Sequence, residues 1–150
     1  MKKFLKEHYK IILVLGWMLI IFLFSATPGE ESSKQSQLVI DVLTTLGINV
    51  EGTFGEFASF VVRKSAHMTE YFILCGLVYN AIKDKFKCLK VFLYPLVISF
   101  LYACTDEFHQ YFVPGRAGAF KDVMIDTTGA AIFILGLFII KTIKNKSKDS

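Results

Sequence analysis

Between Val123 and Ile140 the chain carries a single charged group, Asp126. A helix needs about 20 mostly apolar residues to cross the ~30 Å hydrocarbon core of a bilayer, and this stretch is close to that length. Ile11–Ala26 and Val91–Thr105 contain no charge at all, and Tyr71–Ile82 adds a shorter uncharged run. Backbone polar groups in lipid must be satisfied internally, so each run is predicted to be helical. The fold class is therefore all-α, an integral membrane bundle of four transmembrane helices in one domain over residues 1–150. The spans are placed at about 8–26, 63–82, 91–110 and 123–140. Apolar residues make up 53% of the chain, with fifteen Phe against one Trp, more than a soluble domain usually carries.

The limits of the spans follow from the punctuation between them. Lys2, Lys3, Lys6 and Lys10 before an apolar run give the outline of a signal peptide. Cleavage after Ala26 would put Phe24 at the −3 position, with Pro28 close by, so an uncleaved first span is expected, begun near Glu7 to Tyr9. Glu30–Gln37 reads as a polar loop. Leu38, Val39, Val42, Leu43 and Leu46 then form a helical stripe. This extra amphipathic helix between spans one and two, about ten residues long, is too short to cross and is expected on the membrane surface or against the bundle.

Thr53 and Glu56 fit a capping box. A helix from there to Ile82 would be ~45 Å long, so its first part is expected outside the core and span two near Arg63. Pro95 is placed in or near the first turn of span three, where its cost is least. The three cysteines, Cys75, Cys88 and Cys104, are scattered and suggest no disulfide framework.

Four spans put the amino terminus, the loop at 83–90 and the carboxyl terminus on one side. That side holds twelve of the seventeen Lys and Arg, so both termini are expected in the cytoplasm. The other side then gathers polar groups far apart in sequence. His67 and Glu70 open span two, Asp106, Glu107, His109 and Gln110 close span three, and Arg116, Asp122 and Asp126 lead into span four. Arg63, Lys64 and Tyr71 share helical faces with His67. Ser25 and Thr27, ending span one, join this layer. Tyr102, Asp106, His109 and Gln110 fall on one face, with Glu107 at its edge. Ionisable groups at membrane depth are costly and need partners or a purpose.

Several of these motifs together resemble the VanZ-like membrane proteins. The resemblance rests on Arg63-Lys64-x-x-His67-x-x-Glu70-Tyr71, Asp106-Glu107-x-His109-Gln110, Pro114-Gly115-Arg116 and Asp122 with Thr127-x-Gly129. It covers most of the chain from about residue 10 to 140. One departure is Asp126, where the family pattern more often has Asn. The resemblance implies a multi-pass protein of the bacterial plasma membrane. The named relative is associated with low-level resistance to the glycopeptide antibiotic teicoplanin.

Three readings of the layer stay open. Arg63, Lys64, Arg116 and Lys121 could neutralise Glu70, Asp106, Glu107 and Asp122 in a purely structural network. Alternatively, Arg63, Lys64, Tyr71, Gln110, Arg116, Asp122 and Asp126 form an outward-facing site for an anionic lipid headgroup. Its partners would be membrane lipids, a lipid-linked cell-wall precursor or a lipoglycopeptide, acting in glycopeptide resistance or cell-envelope homeostasis. In the third, His67, Glu70, Asp106, Glu107 and His109 act as catalytic acid and base on a headgroup. No cofactor is expected, although His67 and His109 with Asp106, Glu107 or Asp122 could hold a divalent metal. Nucleic acid is not an expected partner, because the basic segments are short membrane flanks. A carrier gains little support from four spans without an internal repeat.

Overall fold

The computed structural model describes residues 2–146, and its elements are all helical. They are α1 (Lys2–Ser25), α2 (Gly29–Thr45), α3 (Val50–Phe54), a 3-10 turn (Gly55–Phe57), α4 (Ala58–Ile82), α5 (Lys90–Gln110) and α6 (Phe120–Lys146). Three of these contain segments long and apolar enough to cross a membrane: His8–Ser25, Lys90–Gln110 and Phe120–Lys144. Gly29–Thr45 and Val50–Ile82 together make a fourth candidate, bent by 111°. The bundle of four spans is thus met when this bent pair counts as one.

Helix α4 is the central element, in contact with α1, α2, α5 and α6 and most extensively with α6. Ile21, Tyr71, Leu74, Val78, Ala103 and Val123 form its buried core, flanked by Trp17, Met18 and Tyr102. Two cross-helix hydrogen bonds fix the register within that core. Trp17 Nε1 donates to the Glu70 carbonyl at 2.9 Å, and Tyr102 Oη donates to the Met18 carbonyl at 2.6 Å. Both side chains present an apolar body to the core and spend their one polar atom on a backbone acceptor.

Several expectations need correction. Glu30–Gln37 is not a loop, because α2 begins at Gly29 and runs 17 residues. Pro28 precedes it, and Glu30 and Glu31 occupy its first turn, where carboxylates favour the positive helix end. Nor is Thr53 a cap. Asn49 caps α3 by accepting from the Gly52 amide at 2.7 Å, while the Thr53 hydroxyl donates back to the Asn49 carbonyl. The chain breaks at Gly55, at φ 54°, so α4 starts at Ala58, five residues before Arg63. Pro95 lies near the start of α5, in its second turn.

The apolar stripe of α2 points outward, with Leu38, Val42 and Leu46 all more than half exposed. Its buried face is Gly29, Ser32, Ser36 and Ile40. This reverses the pattern of a helix on a water-soluble protein. In a bilayer the apolar side meets lipid and the small polar side meets the bundle.

Lys10 Nζ donates to Asp84 Oδ2 at 2.6 Å, and Lys141 Nζ lies 4.7 Å from the centroid of the Phe92 ring. The beginning of α1, the 83–89 connection and the end of α6 therefore share one end of the bundle. Lys148, assigned to the same end, lies outside the described residues. The Lys10 hydrogen bond holds the Asp84 carboxyl below its usual range. Any stability this pair adds is present above about pH 4 and lost as pH falls through the lowered pKa. An exposed pair of this kind contributes little.

Candidate functional site

At the opposite end the chain assembles a polar layer from α1, α4, α5, α6 and the loop at 111–119. Its densest part is a buried hydrogen-bonded group. Ser25 Oγ donates to Asp106 Oδ2 at 2.7 Å. Gln110 Nε2 lies 3.1 Å from both Asp106 Oδ2 and Glu107 Oε1. The other Glu107 oxygen accepts the Ala119 amide at 3.1 Å. Glu107 is 5% exposed, so it lies inside this group rather than at its edge. The His109 ring lies 4.5 Å from that of Phe22.

Arg116 closes the layer from the loop. Its Nε donates to the Thr27 carbonyl at 2.8 Å, Nη2 to the Phe24 carbonyl at 3.0 Å and Nη1 to Gln110 Oε1 at 3.2 Å. The last carbonyls of a helix have no intrahelical partner, and a guanidinium fork meets them at the end of α1. Gly115 makes this placement possible. Its φ is 71°, a conformation that favours glycine. A Cβ on Gly29 would collide with the Gly115 carbonyl, so the turn lies directly on the start of α2. Burial first, and the nearby Arg63 charge second, hold the Arg116 guanidinium below its usual range. Arg116 nevertheless stays charged.

Among the described residues, the ionic neutralisation predicted across the helix ends forms in one place. Lys64 Nζ pairs with Asp122 Oδ1 at 2.7 Å. Glu70, Asp106, Glu107 and Asp126 have no Lys or Arg within ion-pair distance among the described residues. Only His67 approaches any of them, with Nδ1 3.5 Å from Glu70 Oε2 and 4.0 Å from Asp126 Oδ1. His67 Nδ1, Glu70 Oε2, Tyr71 Oη, Asp106 Oδ1 and Asp126 Oδ2 are all buried without a hydrogen-bond partner. Tyr71 itself is fully buried in the bundle core, beneath the site rather than at its surface.

Two cavities open onto this layer. One, of about 250 Å³, lies between α2 and α4 and is lined by Ser32, Gln35, Ser36, Arg63, His67 and Arg116, among others. The second, of about 290 Å³, includes Lys64, Gln110 and Asp122 and shares Arg63, His67 and Arg116 with the first. The α2 contribution was absent from the sequence expectations. The spacing of Ser32, Ser36 and Ile40 at intervals of four is the signal that could have found it.

A family model for VanZ/LLP1 matches residues 10–141, and so takes in every residue of both cavities. The chain belongs to the VanZ/LLP1 family. No curated protein and no solved structure matches it. As a VanZ-like membrane protein it brings Arg63, Lys64, His67, Glu70, Asp106, Glu107, Gln110, Arg116, Asp122 and Asp126 to one end of the bundle. Asp106, Glu107, Asp126, His109 and Tyr71 belong to the same end but line neither cavity.

Proposed function

We propose that this VanZ-like protein recognises an anionic, membrane-borne ligand at the paired cavities, and through it contributes to cell-envelope homeostasis or teicoplanin-type glycopeptide resistance. The observation that carries this reading is Arg63. Its guanidinium is half-buried, lines both cavities, and has no ion pair or hydrogen bond among the described residues. It also stands near enough to Arg116 for the two like charges to repel. Two converging guanidiniums, one of them unpaired, fit a phosphate or carboxylate. Phe24, Val39 and Val62 line the same space and suit the apolar body of a lipid-attached ligand.

The ligand classes are a lipid-linked wall precursor, an anionic phospholipid or a lipid-tailed antibiotic. Arg63→Ala in the full chain, in mild detergent, should bind each ligand class that the unaltered protein binds at least tenfold more weakly. That corresponds to the ~1.5–3 kcal/mol of a hydrogen bond to a charged group. Its unfolding temperature should not change, because Arg63 makes no hydrogen bond or ion pair among the described residues. Equal binding by the variant would sink the proposal.

The His67–Glu70 contact favours a second reading, in which the same site moves a proton at the bound headgroup. Release of a headgroup fragment on incubation would separate turnover from binding.

The site is taken to face outward, with both termini in the cytoplasm of a bacterial cell. The positive-inside rule supports this orientation. Ala117 is exposed on the loop of the polar end, so Ala117→Cys should react with an impermeant thiol reagent added to intact cells. Labelling only after lysis would reverse the orientation and place the cavities on the cytoplasmic side.

A further inference from the structure

Beneath the cavities, three helices each aim one ligand-type side chain at a common point. His67 comes from α4, Asp106 from α5 and Asp126 from α6. They are 7%, 3% and 1% exposed. One nitrogen or oxygen of each lies within 4.8 Å of those of the other two. Atoms bound to one ion at about 2.0–2.2 Å can be up to roughly 4.4 Å apart, so small side-chain rotations would close the set. His67 Nδ1, Asp106 Oδ1 and Asp126 Oδ2 are buried atoms with no hydrogen-bond partner, as is Glu70 Oε2, 3.5 Å from His67 Nδ1. Such orphaned atoms are rare in native interiors and call for an explanation.

Charge points the same way. Glu70, Asp106, Glu107 and Asp126 share this layer, and no Lys or Arg makes an ion pair with any of them among the described residues. Unpaired carboxylates within a membrane bundle are expensive. A doubly charged cation at their centre removes that cost and satisfies the orphaned atoms together.

We propose that His67, Asp106 and Asp126 bind a divalent metal ion, with Glu70 as an additional ligand, joining α4, α5 and α6 at the floor of the cavities. An imidazole with carboxylates suits Zn²⁺ or Mn²⁺ better than Mg²⁺ or Ca²⁺. His67 also lines both cavities, so a further coordination position would open toward them. The metal set differs from the predicted one, with Asp126 present and His109, Glu107 and Asp122 outside it. This proposal does not rest on the anionic-ligand reading, because the metal is measured without any lipid.

The test uses the full chain in mild detergent. Protein purified without chelator is assayed for metals, then stripped and titrated separately with Zn²⁺, Mn²⁺, Mg²⁺ and Ca²⁺ while thermal unfolding is followed. The expected result is about one Zn²⁺ or Mn²⁺ per chain, with a raised unfolding temperature. Asp126→Asn and His67→Gln should each weaken uptake at least tenfold. Asp84→Asn, an exposed carboxylate at the other end, should keep the metal. Stripped protein that neither takes up nor is stabilised by Zn²⁺ or Mn²⁺ would overturn the proposal, even if the two ligand variants fail to fold. Uptake undiminished in both ligand variants would overturn it as well.

Discussion

Arg116→Ala is expected to lower the unfolding temperature sharply and to reduce the amount of folded protein in the membrane. The guanidinium holds two carbonyls at the end of α1 and the side-chain carbonyl of Gln110. Gln110 in turn lies between Asp106 and Glu107. Removing the fork takes a donor from the Thr27 and Phe24 carbonyls and withdraws a cation that acts on Asp106, Glu107 and Glu70. Hydrogen bonds to charged groups contribute about 1.5–3 kcal/mol each. One of these three is exposed to solvent, so a total loss of about 3 kcal/mol is the reasonable scale. That is a large share of the ~5–15 kcal/mol by which folded domains are usually stable. Arg116→Lys keeps the charge but cannot reach three acceptors in fixed directions, and should recover less than half of the loss. Thermal unfolding of both variants in one detergent measures this. An unchanged unfolding temperature in Arg116→Ala would mean that the α1 end is held by other contacts.

The contrast with Arg63 reshapes how the site is tested. From the sequence, Arg63 and Arg116 look like equal members of a basic rim. In the structure Arg116 is built into the scaffold, whereas Arg63 makes no hydrogen bond or ion pair among the described residues. A loss of binding in Arg116→Ala could follow from a displaced α1, whereas the same loss in Arg63→Ala could not.

What was legible in the sequence is the placement in depth. Apolar run lengths and the basic flanks locate the ends of the helices. Residues as distant as His67, Asp106 and Asp126 fall into one layer because antiparallel spans bring alternate ends together. Ser25 and Thr27 were placed in that layer for the same reason. The failures have a common physical origin. A run of polar residues reads as a loop, but in a membrane bundle a polar helical face can pack inward while the apolar side meets lipid. Ser32, Gln35 and Ser36 therefore looked like loop residues, whereas they form one wall of a cavity.

Pairing within the layer was not legible either. Periodicity groups Asp106 with His109 on a face, but it does not show that the His109 ring packs against Phe22 or that the Ala119 amide holds Glu107. Asp126 is the clearest case. Its position in the second turn of α6, one turn after Val123, is visible in the sequence. Its proximity to His67 depends on how closely α4 and α6 approach.

That approach is set by Gly129. A Cβ added there would collide with the Met68 carbonyl, and would meet the carbonyl carbon and Cα of Met68 at 2.8 and 3.0 Å. Backbone atoms cannot swing away as a flexible side chain can, so the two helices would have to separate. Small residues at such crossings are what allow membrane helices to pack closely. Gly129→Val is therefore expected to cost at least the ~1–3 kcal/mol typical of overpacking. It should also act at a distance from its own contact. Met68 adjoins His67, and Asp126 lies one turn before Gly129, so separation at this crossing pulls two of the three proposed metal ligands apart. Lower thermal stability and weaker uptake of Zn²⁺ or Mn²⁺ should appear together. Gly136, two turns further along α6, has nothing within 4 Å of an added Cβ. Gly136→Ala should leave both properties intact, or raise stability slightly through its better helix propensity. Matched unfolding temperatures for Gly129→Val and Gly136→Ala would show that the crossing tolerates a side chain and does not set the distance between His67 and Asp126.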